Sequence, residues 1–337
     1  VAVTTRPAGP LVAVLGASGF IGSAVLRELA RGPWRIRAVS RRPAAVPAGA
    51  RAAVEVRTAD LTAPGATAEA VRDADVVIHA VAHIAGDTTW RIGEDDTAAE
   101  RVNVGLVRDL VDALAARPRR EPAAVLFAGA VSQAGPPDQD VLDGTETDRP
   151  AGAYDIQKLR AERLLLAADA DGVLRGASLR LPTVFGHDPG STARDKGVVS
   201  LMARRALAGE PITMWHDGTV RRDLLHVTDA ARAFAAAARH TGALSGRHWL
   251  LGTGRGEPLG AVFRQVAALA AEHTGRPPVP VVSVEPPAHA EPGDFRGVTV
   301  DASAFRAATG WRPRVPLAEG LRGAVAHCAA VCEGSPP

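Results

Sequence analysis

Leu11-Val-Ala-Val-Leu15-Gly16-Ala17-Ser18-Gly19-Phe20-Ile21-Gly22 is the stretch whose reading decides the fold. A short apolar run ends in glycines at Gly-x-x-Gly-x-x-Gly spacing, and a helical pattern follows from Ala24 to Ala30. A strand, a glycine-rich turn and a helix form the front of a dinucleotide-binding βαβ unit. Without side chains, the backbone of the turn can approach a pyrophosphate at the helix N-terminus. Three glycines alone can be turn punctuation. With a strand before and a helix after, Gly16, Gly19 and Gly22 read as a cofactor turn, and Ser18 adds a hydroxyl to the phosphate cradle.

Working outward, Arg35-Ile-Arg-Ala-Val39 is the second strand, and it closes on Ser40-Arg41-Arg42. NAD enzymes commonly place an acid there for the ribose 2′-hydroxyl, and this chain has none. A guanidinium can grip a 2′-phosphate, so Arg41, with Ser40 or Arg42 helping, points to NADP(H). Val54–Arg57, leading to Asp60-Leu61, is a third strand, Asp75–Ala82 with His79 a fourth, and Ala123–Ala128 a fifth. The segment Thr97 to Ala116 reads as one long amphipathic helix carrying Asn103, and Gly176–Gly186 as the sixth strand and its exit. Strands alternating with helical patterns at this rhythm mean an α/β protein with a doubly wound parallel sheet, a Rossmann fold. Residues 10–186 form the dinucleotide-binding domain, with 223–252 returning to it, while 187–222 and 253–330 make a smaller C-terminal substrate-binding lobe.

The chain has a single tyrosine, Tyr154, four residues before Lys158 in a segment from Ala153 to Ala168 that suggests a helix. Positions i and i+4 share a helix face. An ammonium beside a phenol favours the phenolate and makes the hydroxyl a better proton donor or acceptor near neutrality, which suits redox chemistry at a carbonyl. A bare Tyr-x-x-x-Lys is an ordinary surface pair in most proteins; the glycine turn upstream gives it meaning here.

Composition narrows the rest. With 337 residues and 46% hydrophobic content the chain can bury one large α/β unit or two lobes. The 39 basic and 37 acidic residues are well mixed, with no basic arm or aromatic-interleaved patch, so nucleic acid is not the expected partner. No apolar run approaches the roughly 18 residues that span a bilayer, and Val1-Ala-Val-Thr-Thr-Arg6 lacks the form of a signal peptide. A cytoplasmic protein without a membrane partner is expected. Cys328 and Cys332 sit at helical spacing without a histidine ligand pattern and read as packing residues, so no metal is expected.

The ordered set Gly16-x-x-Gly19-x-x-Gly22, Asp60-Leu61, His79-Ala80-Val81-Ala82, Asn103, Tyr154-x-x-x-Lys158, Arg180-Leu181-Pro-x-x-x-Gly186 and Arg222-Asp-Leu-Leu-His226-Val-x-Asp229 resembles the extended short-chain dehydrogenase/reductases, or NAD-dependent epimerase/dehydratase family. The resemblance runs from about Leu11 to about Val325. Further stretches resemble, within it, the NDP-4-keto-6-deoxyhexose 4-ketoreductases of antibiotic deoxysugar pathways. They are His83-Ile-Ala-Gly86 with Trp90, Lys196-Gly-Val198-Val199, Ala206–His216 with Trp215, Asp294-Phe-Arg296 and Thr309–Leu321.

The resemblance implies roles. Phe20, Ile21, Ala80–Ala82 and Leu181 would line the cofactor path, and Asn103 would steady the active-site backbone. His79 would stabilise the loop at its strand end. Tyr154 would protonate the oxygen formed as hydride reaches C4 of the sugar. Lys158 would bind the nicotinamide ribose and depress the phenol pKa. Arg222 would contact the nucleotide diphosphate and Trp215 would stack on the base, with His83, Lys196, Val198, His216 and Arg296 beside the substrate. The expected substrate is a TDP-sugar, and a homodimer is the assembly carried with it.

Two positions depart from the family pattern. The hydroxyl usual in the third position after the aromatic residue of strand five is absent, because Phe127 is followed by Ala128-Gly129-Ala130; Ser132 is the nearest replacement if the loop is offset. Glu291-Pro-Gly-Asp294 stands where relatives have Arg-Pro-Gly-Asp, so Arg296 or Arg221 would have to supply that phosphate contact. The expected reaction is NADPH-dependent reduction of a C4 ketone. The alternatives are an epimerase or dehydratase that keeps its NAD, and a non-catalytic NADP-binding sensor. A 4,6-dehydratase would carry its own acid and base at the strand-five loop, and Ala130-Val131-Ser132 supplies neither.

Overall fold

The structure is a computed structural model, and it describes residues 9–83, 92–93, 95–136, 139–188, 191, 193, 195–287, 290 and 292–333. Trp90, Gly86, Glu291 and the N-terminal stretch 1–8 lie outside the described residues.

The central sheet has seven strands: β1 (Leu11–Leu15), β2 (Arg35–Ser40), β3 (Ala53–Thr58), β4 (Val76–His79), β5 (Ala124–Ala130), β6 (Arg175–Leu181) and β7 (Arg247–Leu250). They lie in the order β7-β6-β5-β4-β1-β2-β3, and every neighbouring pair is parallel. The expected doubly wound sheet is what the chain forms. Its order reverses at β1, which pairs with β2 on one side and β4 on the other, and a crevice opens at the C-terminal ends of the strands at such a reversal.

Period-two alternation along β1 divides the core. Val12 and Val14 face one side, packed with Ile36 of β2 and with Leu26, Leu29 and Phe234 from helices Phe20–Ala30 and Val227–Arg239. Ala13 and Leu15 face the other, with Leu110, Phe127 and Leu165 under helices Leu106–Ala115 and Ala153–Ala170. The edge strand β3 is guarded by charge: Glu55 pairs with Arg57 at 2.6 Å and with Arg37 at 3.2 Å.

The segment Thr97–Ala116 differs from a single regular helix. It is α-helical at Thr97–Glu100, widens to a π-helix at Arg101–Gly105, and resumes as α-helix at Leu106–Ala115. A π turn inserts an extra residue, and such turns gather at functional sites. Here it carries Asn103.

After β6 the chain leaves the sheet at Pro182. Thr183–Phe185 pairs in parallel with Arg221–His226, which pairs antiparallel with Gly256–Pro258. Helices Val198–Ala208, Leu259–Thr274 and Leu317–Glu333 enclose a separate core that includes Val199, Met202, Phe263, Leu321 and Cys328. The Cys332 side chain is outside the described set. From farther along, Phe305 and Trp311 pack into the core of the central sheet, and Thr299–Val300 pairs with Val141–Leu142. That pairing ties the loop before Tyr154 to the C-terminal segment.

Candidate active site

A cleft of about 2050 Å³ runs along the C-terminal ends of the strands and under the second core. At one end, the turn after β1 is made almost entirely of backbone. Gly16 sits at φ 87°, and a Cβ there would meet the Ala80 carbonyl oxygen at 2.8 Å. The Gly16 N–H donates to the Val39 carbonyl at 2.8 Å, and the Gly19 N–H to the Gly16 carbonyl at 2.9 Å. Gly22 lies beneath the turn instead of lining the cleft; a Cβ there would stand 2.1 Å from the Gly16 oxygen. Helix Phe20–Ala30 begins at Gly19 with no side-chain cap and no acid in its first turn, so its leading N–H groups suit an anion. Ser18, Phe20 and Ile21 line the cleft beside them.

Farther along the same wall, Arg41 and Arg42 are exposed at the end of β2. The Ser40 hydroxyl is turned inward and donates to the Arg42 carbonyl at 2.8 Å, which shapes the basic turn. Asp60 accepts from the Thr62 N–H at 2.9 Å and from its hydroxyl at 2.7 Å. Those bonds, with Arg41 nearby, hold its carboxyl below the usual range. Leu61, Ala80, Val81, Ala82 and His83 continue the wall. Asn103 does not line it. From the π turn its side-chain oxygen accepts from the His83 N–H at 2.7 Å, while its amide donates to the His83 carbonyl at 3.2 Å and to Gln157 at 2.8 Å. One amide thus clamps the strand-end loop to the Tyr154 helix. His79, expected to hold that loop, is instead fully buried against Phe127, and neither ring nitrogen has a hydrogen-bond partner among the described residues. Burial, then the charge of Lys158, lowers its pKa to about 3, so it stays neutral.

At the reacting end, Tyr154 and Lys158 rise from one helix into the cleft. The Lys158 ammonium donates to the Ala128 carbonyl and lies 4.0 Å from the Phe127 ring centre. Burial lowers its pKa to about 7, against the pull of Glu162. The expectation that Lys158 depresses the Tyr154 phenol is not met. Burial first, and the Asp155 carboxylate second, push the phenol pKa up. Ser132 is exposed and gives its proton to Asp155 at 2.6 Å, so its hydroxyl is committed to a carboxylate, not offset to take the place missing at Ala130.

Behind this surface lies a charged network that sequence reasoning passed over. The Ala130 N–H donates to the Gln133 side-chain oxygen at 2.7 Å, and the Gln133 amide donates to Glu162 at 2.9 Å. Glu162 also accepts from the Ser178 hydroxyl at 2.6 Å and from Arg180, which forks onto Asp148 at 2.7 and 2.9 Å. Burial pushes the Glu162 carboxyl up, but Arg180, Ser178 and Gln133 outweigh it and leave it below the usual range. Two signals pointed here: Glu162 stands four residues past Lys158, and Arg180 is a charge inside an otherwise apolar strand that needs a buried partner.

Across the cleft the second core contributes Lys196, Val198, Trp215, His216 and Arg222. The Arg222 guanidinium donates to the carbonyls of Arg221, Gly293, Asp294 and Arg296. In this structure it staples the 293–296 segment, and Arg296 itself is not on the cleft wall. Leu181 lines the floor. The cleft therefore gathers the expected residues from both halves of the chain except Gly22, Asn103 and Arg296, of which the first two act from behind it. Among the described residues no group of His, Cys, Asp or Glu could hold a metal ion, and no helix is long and apolar enough to cross a membrane.

The profile of the NAD dependent epimerase/dehydratase family matches residues 12–252. The dTDP-6-deoxy-L-talose 4-dehydrogenase (NAD(P)(+)) of Kitasatospora kifunensis is 29% identical over 316 residues, 92% of this chain and 93% of that protein. The dTDP-L-rhamnose 4-epimerase of Burkholderia thailandensis is 32% identical over 182 residues, 53% of this chain, and the match spans 46% of its own length. Among solved structures, MoeE5 in complex with UDP-glucose and NAD superposes with a TM-score of 0.77 at 29% identity, covering 97% of this chain and all of that one.

Proposed function

The chain belongs to the NAD-dependent epimerase/dehydratase family, and from that premise we propose that it is an NADPH-dependent reductase of the C4 ketone of a TDP-linked 4-keto-6-deoxyhexose. The observation that carries the reading is the end of β2, where Arg41 and Arg42 reach the cleft and no acid waits for a ribose 2′-hydroxyl. A guanidinium pair there suits a 2′-phosphate, and net reduction needs a fresh donor at each turnover. The near full-length likeness to a deoxysugar 4-dehydrogenase supports the substrate class. The absence of an acid and base at Ala130-Val131-Ser132 argues against dehydration.

The fit of the nucleotide to these residues is physical. The open helix N-terminus and the Gly16–Gly19 backbone hold the diphosphate, with Ser18 beside it. Phe20, Ile21, Leu61, Ala80–Ala82 and Leu181 enclose the apolar faces, and Asp60 accepts from the base or ribose. When bound, NADPH supplies the hydride. Tyr154 gives the proton to the oxygen that develops negative charge, and Lys158 orients the ribose. With Ala130 lacking a hydroxyl, the phenol is the donor at that oxygen. The second core's side of the cleft holds the TDP moiety, Trp215 against the base and Lys196 at the diphosphate, while 299–311 belongs with the central sheet; Arg222 reaches a phosphate only by exchanging carbonyl partners in 293–296.

The test is turnover with a TDP-4-keto-6-deoxyhexose. NADPH should be consumed in step with a C4 alcohol seen by NMR, NADH should serve poorly, and free TDP should compete with the sugar and not with NADPH. No oxidation of NADPH with any 4-keto sugar nucleotide would end the proposal.

A further inference from the structure

We propose that Gln133 is a positioning residue for Tyr154 and Lys158: it ties the end of β5 to Glu162 and so fixes where the helix carrying both reacting side chains stands against that strand. The inference deepens the reductase reading and rests on Tyr154 and Lys158 doing the chemistry.

The need for such a tie is visible in the sheet. β4 ends with His79 opposite Phe127, whereas β5 runs on beside β6 until Ala130 meets Leu181. Along the β4 edge, residues 128–130 have no strand partner among the described residues, and buried peptide groups need one. Side chains take its place. The Ala128 carbonyl accepts from the Lys158 ammonium, and the Ala130 N–H donates to the Gln133 side-chain oxygen at 2.7 Å. Gln133, fully buried, then donates through its amide to Glu162 at 2.9 Å. Gly129 leaves the space: a Cβ there would stand 3.0 Å from the Gln133 oxygen and 2.6 Å from the Ser178 hydroxyl.

Tyr154, Lys158 and Glu162 occupy successive i, i+4 positions on one face of helix Ala153–Ala170. The helix is thus held to β5 at two points one turn apart, directly at Lys158 and through Gln133 at Glu162. The other hydrogen-bond partners of Glu162 are Ser178 and Arg180, and both belong to β6. Among the described residues only Gln133 carries Glu162 on to β5. Without that tie the buried ion pair remains, but Lys158 alone sets the spacing while also serving the ribose. A displacement of about 1 Å in a reacting group can cost on the order of 10²-fold in rate.

The charged groups around Gln133 define a test. Glu162 and Lys158 come from the helix and Arg180 from β6, with Asp148 and His248 beyond them. A carboxyl in place of the amide would face Glu162 directly, and two carboxylates so close cannot both ionise. Protonated, that carboxyl copies the amide: its carbonyl accepts from Ala130 and its hydroxyl donates to Glu162. Ionised, it repels Glu162.

Gln133→Met keeps the volume and removes both bonds. In that variant kcat for ketone reduction should fall about 10- to 100-fold at every pH, with TDP affinity, set across the cleft, unchanged by calorimetry. Gln133→Glu should approach the wild-type kcat at acid pH and lose it as the pH rises and the shared proton leaves, each rate being divided by the wild-type value at the same pH. A merely structural role lowers the melting temperature of both variants and gives no such recovery. Lys158 and Lys196 are the two lysines of the chain, so lysine-selective 13C labelling, with Lys196→Arg for assignment, yields a resolved Lys158 signal. That signal should move in Gln133→Met with no substrate present; if Gln133→Met does not fold, it should move in Gln133→Glu as the pH rises. An unmoved Lys158 signal, or a Gln133→Glu protein with no recovery at acid pH, overturns the inference. The signal needs no turnover, so it decides the Gln133 effect even where no 4-keto sugar nucleotide oxidises NADPH. That last result would instead remove the reductase reading beneath it.

Discussion

The turn after β1 faces the cleft with backbone, and seven consecutive residues, Gly16 to Gly22, contain nearly all of it; the end of β5 is built from side chains brought from 127–133, 148–162 and 178–180. The first region works by omission. Missing Cβ atoms let Gly16 turn at positive φ and let Gly22 pass under its carbonyl, and an uncapped helix leaves N–H groups for an anion. The second works by charge compensation. Glu162 and Arg180, each 2% exposed, balance one another, and through Gln133 they fix the Ala130 amide. Omission is cheap to read and tolerates no addition. A buried network is hard to read and tolerates no subtraction.

The largest expected effect tests whether the reacting end does the chemistry. Tyr154→Phe keeps the ring and removes the proton, so kcat should fall about 10²- to 10⁴-fold while NADPH binding, carried by the other region, survives. Equal loss in both would mean that the two regions are not separable as described.

Glu162→Ala breaks the network itself. It removes the acceptor shared by Gln133, Ser178 and Arg180 and leaves Arg180 with Asp148 alone among these carboxylates, and stability should drop by about 3–5 kcal/mol in denaturant unfolding. A loss below about 1 kcal/mol would show that water or Asp148 compensates Arg180, and the contrast between the regions would weaken.

Gly22→Ala sharpens the other side. With 2.1 Å available between the new Cβ and the Gly16 oxygen, the turn must shift. About 1–3 kcal/mol of stability should go, together with NADPH affinity by calorimetry. A variant that binds as tightly as the wild type would mean that the turn is softer than its geometry implies.

The most local effect is at the margin of the first region, where it touches one cofactor contact and leaves the fold alone. Arg41→Ala should weaken NADPH by roughly 10- to 100-fold, the worth of about 1.5–3 kcal/mol for a charge-assisted phosphate contact, and leave NADH nearly unchanged. Equal use of the two cofactors by the unmodified protein would remove the reason for assigning NADP.

The regular elements were legible because their signals are local. The apolar run before Gly16, the alternation within each strand and the helical spacing around Tyr154 all lie within a dozen residues. The π turn at Arg101–Gly105 was not, because one extra residue in a turn leaves the amphipathic pattern nearly intact. Its purpose appears only in space, where Asn103 reaches both His83 and Gln157. Ser132 shows the same limit. Its hydroxyl was visible in the chain as a replacement for the one missing at Ala130, but the direction of its proton depends on Asp155, twenty-three residues on.

The sequence by itself determined the doubly wound sheet, the glycine turn and the membership of Tyr154 and Lys158 in one cleft, because backbone conformation and hydrophobic periodicity are properties of neighbours along the chain. Only the tertiary structure decided the electrostatics of that cleft: that the phenol is pushed up, that Lys158 falls to about 7 and that Arg222 is occupied by carbonyls. Burial and charge act through space, and both are set by which distant segments the fold places against a side chain.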